Sequence, residues 1–265
     1  MTTSNPRLDL ALEVARAAGG LLRDGLGRAT VEHKSPLELV TEFDRASERL
    51  IVERVLASFP QDGLLAEEGS HRPGGEWRWY IDPLDGTTNF AHGLPHFAVS
   101  IGAEAGGSLA FGVVYDPMRD EMFHAARGQG AYLNDRRLHV SAAVDLSRSL
   151  LVTGFPYDLR DNQDNNLDHF SRLARRSLAV RRFGSAALDL AYVAAGRFDG
   201  YWELRLAPWD LAAGIVLVLE AGGTVTRADG APHPLQPPPS IAASNGPLHG
   251  PLLEALRERP AHDKD

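Results

Sequence analysis

The segment Asp82-Pro83-Leu84-Asp85-Gly86-Thr87-Thr88-Asn89-Phe90 constrains this chain more than any other stretch of it. It leaves an apolar run, Trp79-Tyr80-Ile81, and turns at a proline with a carboxylate on either side. Pro83 has no backbone donor and stiffens the bend, so Asp82, Asp85 and the intervening Leu84 carbonyl can converge on one or two cations at the end of a strand. Gly86 allows backbone to approach a phosphate closely. The amides of Thr87 and Thr88 then open a short helix whose positive end faces an anion.

Composition narrows what can surround this segment. The chain has 265 residues, 43% of them hydrophobic and 23% charged, enough apolar mass for a sizeable core and too much for disorder. Its net charge of −8 argues against coating nucleic acid or an anionic membrane. No apolar run is long enough to span a bilayer, and Met1 to Leu10 lacks the basic-then-apolar pattern of an export signal, so a cytoplasmic location is expected. There is no cysteine, which removes disulfides, thiol catalysis and thiolate-bound metals. Any metal must be held by carboxylate, carbonyl or His, and oxygen ligands favour hard cations such as Mg²⁺. The ten histidines are scattered with no His-Glu-x-x-His helix. Most read as surface residues; His92 and His96 sit just beyond the candidate site, in positions to line its rim, with a structural role favoured.

Apolar spacing predicts a helix from Leu8 to Leu26 and a second from Asp44 to Phe59, stopped by Pro60. Strands are expected at Leu64 to Ala66 and Trp77 to Ile81, followed by an antiparallel meander over Phe97 to Ala103, Leu109 to Tyr115 and Glu121 to Ala125. Beyond Ser147 the pattern alternates. Strands at Leu150 to Thr153, Val180 to Phe183, Gly200 to Glu203, Thr224 to Thr226 and Ile241 to Ala243 are interleaved with helices at Asn165 to Arg176, Ser185 to Ala195, Pro208 to Glu220 and Pro247 to Arg257. Pro232 to Pro239 reads as a surface loop.

Three further pieces carry candidate chemistry. Glu67-Glu68 closes a strand, where neighbours point to opposite faces, so one of the two can face a site. Asp210 follows Pro208 and lies in the first turn of an apolar helix, where the dipole favours its ionised form. Gly184-Ser185-Ala186 makes another helix start behind a basic strand, Arg181-Arg182.

Together these pieces resemble the inositol monophosphatase family, in the superfamily that includes fructose-1,6-bisphosphatases. The resemblance runs from Lys34-Ser35-Pro36, Leu39-Val40-Thr41 and Asp44 through Glu67-Glu68 and Asp82 to Phe90. It continues to Gly184-Ser185-Ala186-Ala187, Tyr201-Trp202-Glu203, Trp209-Asp210 and Glu220-Ala221-Gly222-Gly223. It implies a layered αβαβα sandwich over 1–265 as a single unit, with an antiparallel-rich metal-binding half (1–146) and an α/β half (147–265), assembling as a homodimer. It implies a lithium-sensitive phosphatase using two or three Mg²⁺ ions. Glu67, Asp82 and the Leu84 carbonyl would hold the first; Asp82, Asp85 and Asp210 the second; a third would sit near Glu67. Asp44 and Thr87 would orient the attacking water, and Gly86 and Thr87 would bind phosphate. Glu203, with Asp85, Gly184, Ser185 and Ala186, would contact the alcohol of a phosphorylated polyol or sugar, inositol monophosphate first. Fructose 1,6-bisphosphate, histidinol phosphate and nucleotide 3′-phosphates share the same metal chemistry, and some bacterial relatives associate with transcription machinery. Many relatives have a small residue where this chain has Arg205, whose guanidinium could meet a second phosphate or a carboxylate.

Overall fold

A computed structural model describes residues 5–258; residues 1–4 and 259–265, which include the opening of the Met1–Leu10 stretch, His262 and both ends of the expected 1–265 unit, lie outside the description. The first half runs α1 (Pro6–Gly25), β1 (Val31–His33), β2 (Leu39–Thr41), α2 (Glu42–Ser58), β3 (Gly63–Ala66), β4 (His71–Arg72), β5 (Trp77–Asp85), α3 (Thr87–Ala91), β6 (Ala98–Ala105), β7 (Ser108–Asp116), β8 (Glu121–Ala126), β9 (Gly130–Leu133) and β10 (Arg136–Arg137). The second runs β11 (Leu150–Thr153), α4 (Leu167–Ala174), β12 (Ala179–Arg181), α5 (Ala186–Ala194), β13 (Gly200–Leu204), α6 (Pro208–Glu220), β14 (Thr224–Thr226), β15 (Ser240–Ser244) and α7 (His249–Arg257).

These elements stack in five layers, the αβαβα sandwich that was expected. Helices α1 and α2 cover one face of an eight-stranded sheet ordered β10-β9-β8-β7-β6-β5-β3-β4. Helices α5 and α6 fill the space between it and a five-stranded sheet ordered β12-β11-β13-β15-β14, and α4 and α7 close the far side. One apolar core lies between α1, α2 and the large sheet, a second surrounds α5 and α6 between the two sheets, and a third lies under α4 and α7. The outer helix α1 buries one stripe, Leu10, Ala11, Val14, Ala15, Ala18 and Leu22, and is started by Asn5 and Pro6. Helices α5 and α6 are apolar all round because sheets press on both sides of them.

Most expected elements are present, with informative differences. The β1–β2 hairpin, β4, β9 and β10 were not anticipated; they are two to four residues long, too short for alternation to show. Helix α4 spans Leu167–Ala174 rather than Asn165 to Arg176, and β12 ends at Arg181 rather than Phe183. Helix α2 begins earlier than Asp44, because the Thr41 side chain caps it. Strand β5 continues past Ile81 to Asp85. In its pairing with β6, Asp82 faces Ser100 and Asp85 faces Ala98, so one extra residue bulges between them. Residues three apart in a regular strand point to opposite faces. The bulge at Pro83-Leu84 returns Asp82 and Asp85 to the same side. Among the described residues, no helix is long and apolar enough to cross a membrane.

Candidate active site

The end of β5 meets the N-termini of four helices. Asp44 is the third residue of α2; its Oδ2 accepts from the Thr41 amide (2.8 Å) and hydroxyl (2.6 Å). Its Oδ1 lies 2.9 Å from the hydroxyl of Thr87, the first residue of α3. That hydroxyl is also 3.0 Å from the Leu84 carbonyl. A hydroxyl carries one proton, so donating it to Asp44 leaves the Leu84 oxygen with its lone pairs free. Gly86, at φ 98°, makes the turn between Asp85 and α3; a Cβ there would lie 3.1 Å from the His96 carbonyl.

Asp85 joins the two halves of the molecule. Its Oδ2 accepts from the Ser185 hydroxyl (2.5 Å) and the Ala187 amide (2.8 Å), and its Oδ1 from the Ala186 amide (3.2 Å), all at the start of α5. Burial pushes its pKa up to about 6 against these donors. Ser185 and Ala186 are therefore turned onto Asp85. Gly184 lies just before them, φ 79°, its carbonyl alongside Gly86. Asp210, the third residue of α6, accepts the Ala207 amide at 2.7 Å.

Glu67, Asp82, Asp85 and Asp210 are close enough to oppose one another's ionisation. The pKa of Asp82 is raised well above the carboxylate range, first by burial and then by the charges of Glu67, Asp85 and Asp210. That of Asp210 is raised by burial, with Glu67, Asp85 and Glu203 adding to it. Glu67 is raised by burial, opposed by Lys34, and shares a hydrogen bond with Asp82. Charges of one sign held this close need protons or cations between them.

The Glu67-Glu68 expectation requires correction. Strand β3 stops at Ala66, and both glutamates lie in a turn rather than in extended chain, so alternation does not apply. Both turn to Lys34, whose ammonium lies 3.1 Å from Glu67 Oε1 and 2.5 Å from Glu68 Oε1. Burial lowers the Lys34 pKa, and the two carboxylates outweigh it and raise the value above its ordinary one. The turn itself is held by buried Glu48, which accepts from the amides of Glu68 (2.6 Å) and Ser70 (3.0 Å).

Glu203 lies at the end of β13, buried, with Oε2 2.7 Å from the Tyr201 hydroxyl. Burial pushes its pKa up to about 7; Asp85 adds to the rise, and Tyr201 and Arg182 oppose it. Gly154 makes room for it: a Cβ there would fall 2.1 Å from Glu203 Oε2. Arg205, two residues on, does not reach into the carboxylate cluster. Its guanidinium forks onto Asp158, Nη2 to Oδ2 at 2.7 Å and Nε to Oδ1 at 3.2 Å. Its backbone is left-handed, φ 59°, which costs a side-chain-bearing residue roughly 1 kcal/mol relative to glycine. That is about what an exposed ion pair returns, and the position suits a small residue on backbone grounds alone.

Several supporting residues escaped the sequence reading. Ser47 and Glu48 follow Asp44 by three and four positions, on the same face of α2, and Ser47 holds the Pro83 carbonyl at 2.8 Å; helical spacing from Asp44 could have found both. Asn89 bridges the His96 and Phe183 carbonyls, each at 2.8 Å. No local signal marks Gly154. His92 is exposed, and the His96 ring lies tilted against Phe183, centroids 5.1 Å apart, a packing role.

The donor set at this spot is all oxygen, which fits a hard divalent cation. Among the described residues, no three acidic or His side chains already stand as a closed ligand set, since Glu67 is turned to Lys34, Asp85 to α5 and Asp210 to Ala207. Helix N-termini for an anion beside carboxylates that need cations are the makings of phosphoryl chemistry, and the class they define is a phosphatase. The chain belongs to the inositol monophosphatase family, whose sequence model matches residues 4–261. It is 45% identical over 263 residues to "Nus factor SuhB" of Pseudomonas aeruginosa, covering 95% of this chain and 96% of that one. It is 45% identical over 255 residues to the inositol-1-monophosphatase of Rhizobium meliloti, covering 95% of each. Among solved structures, the inositol monophosphatase of Anabaena superposes with a TM-score of 0.88 at 46% identity, over 97% of both chains.

Proposed function

We propose that this phosphatase hydrolyses inositol monophosphate in a Mg²⁺-dependent reaction. The observation that carries the reading is the convergence of buried Asp82 and Asp85 at the bulged end of β5 with Asp44, Asp85's donors and Asp210 at the starts of α2, α5 and α6, an all-oxygen cluster beside helix N-termini where the charges of Glu67 and Asp85 oppose ionisation of Asp82 and Asp210. Glu67, Asp82 and the Leu84 carbonyl would hold one ion and Asp82, Asp85 and Asp210 a second, with a third near Glu67. When bound, Mg²⁺ supplies the charge that offsets these carboxylates and the phosphoryl group, and it lowers the pKa of water.

The chain's own groups divide the remaining work. The amides after Gly86 hold phosphate oxygens through donors that have no acceptor within α3. The Thr87 hydroxyl, donated to Asp44, offers its oxygen to the attacking water and fixes that water's position. Asp44, buried and raised in pKa by burial, is the nearest proton acceptor along that line. Glu203, with Asp85, accepts hydroxyl hydrogens of the polyol. The Arg205 guanidinium faces a carboxylate, forking onto Asp158 with Nε and Nη2, which favours a monophosphate over fructose 1,6-bisphosphate.

A substrate panel of inositol monophosphate, fructose 1,6-bisphosphate, histidinol phosphate and adenosine 3′,5′-bisphosphate, scored by kcat/KM with Mg²⁺, tests the reading. Inositol monophosphate should lead, and lithium should inhibit. A different leader would reassign the substrate. A cytoplasmic homodimer is part of the same proposal; light scattering giving a monomer removes the second half of it. The relatives named Nus factor favour a second reading, association with transcription machinery. Cellular function that survives Asp82→Asn, with the partners still pulled down, would support it over catalysis.

A further inference from the structure

The small sheet has two faces, and the carboxylate cluster lies on one of them. In the pairing of β13 with β15, Glu203 stands opposite Ile241 and Leu204 opposite Ser240. Ile241 belongs to the core around α5 and α6, whereas Leu204 belongs to the core under α4 and α7. Paired residues share a face and neighbours along a strand alternate, so Glu203 points toward α5 and α6, and Leu204 and Ser240 point away from it.

On that opposite face a cavity of about 260 Å³ opens beside Leu204 and Ser240, between the turn after β14 and helices α4 and α7. Three arginines line it, each at the end of its element: Arg205 just past β13, Arg227 just past β14 and Arg257 closing α7. Two carboxylates, Asp164 and Asp229, line it too, so three cations against two anions leave the wall positive in a chain of net charge −8. The guanidiniums are held in place. Arg227 donates from Nη1 to the Gln236 carbonyl (2.6 Å), Arg257 from Nε and Nη2 to the Asp229 carbonyl (3.1 and 2.8 Å), and Arg205 forks onto Asp158. A guanidinium carries five N–H donors, and these bonds use one or two on each. The remainder are preoriented donors on a cavity wall, a match for phosphate oxygens.

A second group there lacks a partner. His169 Nδ1, on α4, is buried without a hydrogen-bond partner among the described residues, a costly state for a polar atom. An imidazole nitrogen donates or accepts according to its tautomer, and a ligand hydroxyl can answer either. His169, Leu256 and Arg257 also line an adjoining cavity of about 240 Å³, so a ligand longer than a single phosphate has room.

We propose that this cavity is a second ligand site, across the small sheet from the carboxylate cluster, for a small hydroxylated phosphate ester, with its phosphate on Arg205, Arg227 and Arg257 and its hydroxyls on His169, Asp164 and Asp229. The site stands apart from the phosphatase reading, because none of these residues belongs to the cluster that would hold metal.

Isothermal titration of the full chain in chelator, where the carboxylate cluster has no cation to draw an anion, tests it with glycerol 3-phosphate, inorganic phosphate and glycerol as probes. Glycerol 3-phosphate should bind with a Kd of about 1 mM or below, inorganic phosphate about three- to tenfold more weakly, and glycerol not measurably. Arg227→Gln should weaken the ester by about tenfold or more, the scale of one charge-assisted hydrogen bond. Asp229→Asn keeps an acceptor for the Ala231 amide and removes the carboxylate 3.5 Å from Arg227 Nε, so it should tighten binding by about two- to fivefold. A gain in affinity cannot come from a chain that has failed to fold, and a thermal melt checks Arg227→Gln. No binding by wild type, wild-type affinity in Arg227→Gln, or no gain in Asp229→Asn overturns the site. Inorganic phosphate binding as tightly as the ester overturns the hydroxyl contacts and makes free phosphate the ligand. A chain that hydrolyses inositol monophosphate with Mg²⁺ yet binds none of the probes in chelator loses this inference alone.

Discussion

The hydroxyl of Ser185, at the start of α5, donates to Asp85 Oδ2 at 2.5 Å across a separation of 100 positions. With the Ala186 and Ala187 amides it holds a carboxylate of the first half on a helix of the second. Carboxylates that accept charge-assisted bonds of this kind are held in one orientation, and each such bond contributes about 1.5–3 kcal/mol.

Ser185→Ala should therefore loosen Asp85 without emptying the site. The expected outcome is a Mg²⁺ requirement raised by about tenfold in the activation curve, with the maximal rate reduced less. Titration of activity against Mg²⁺ concentration measures this; an unchanged half-saturation point would show that Asp85 orientation does not depend on Ser185.

Gly154→Ala inserts a Cβ into the space of the Glu203 carboxylate. The carboxylate must move or the strand ends must part, a cost of about 1–3 kcal/mol for overpacking. Denaturant unfolding should show that loss, and KM for inositol monophosphate should rise. Wild-type values for both would mean that Glu203 has slack absent from this geometry.

The Glu203 pKa, raised by burial from 4.5 to about 7, has a definite sign in stability. Between those values the native chain keeps a proton that the unfolded chain has released, so this group's contribution is full below pH 4.5 and is lost as pH rises through about 7. Glu203→Gln has no such proton. In chelator, the variant should gain on wild type by roughly 3 kcal/mol as pH goes from 4.5 to above 7. A stability difference that stays flat with pH would contradict the assignment. Asp85, raised to about 6, adds a smaller contribution of the same sign in both proteins.

Removing metal should abolish activity and lower Tm, because a cation bound to the native state alone stabilises by about 2.7 kcal/mol at one hundred times its dissociation constant. Asp82→Asn, which removes a buried charge opposed by Glu67, Asp85 and Asp210, should weaken both the Mg²⁺-induced rise in Tm and the activity, while melting no lower than wild type in chelator. Activity undiminished in excess chelator would end the metal assignment.

The chemistry of the site was legible where it is local. Pro83 between two aspartates, Gly86 before two threonines and Pro208 before Asp210 act on their immediate neighbours, and the structure has a bulged strand end and two helix starts there. The periodicity of the longer helices was legible for the same reason, since a buried stripe repeats within one element. Glu67-Glu68 reads locally as the end of a strand, whereas β3 stops before it, in a turn held by Glu48, 20 positions away, accepting the Glu68 amide. Arg205 could meet a phosphate or a carboxylate as far as its residue type goes. Its partner proved to be Asp158, 47 positions earlier, brought alongside by the pairing of β11 with β13. Residue types and short spacings decide which groups can bind a cation, cap a helix or turn a chain, because those interactions close within a few residues. Which of those groups meet is decided by the packing of two sheets through α5 and α6, where energies come from contacts between segments that carry no mark of one another.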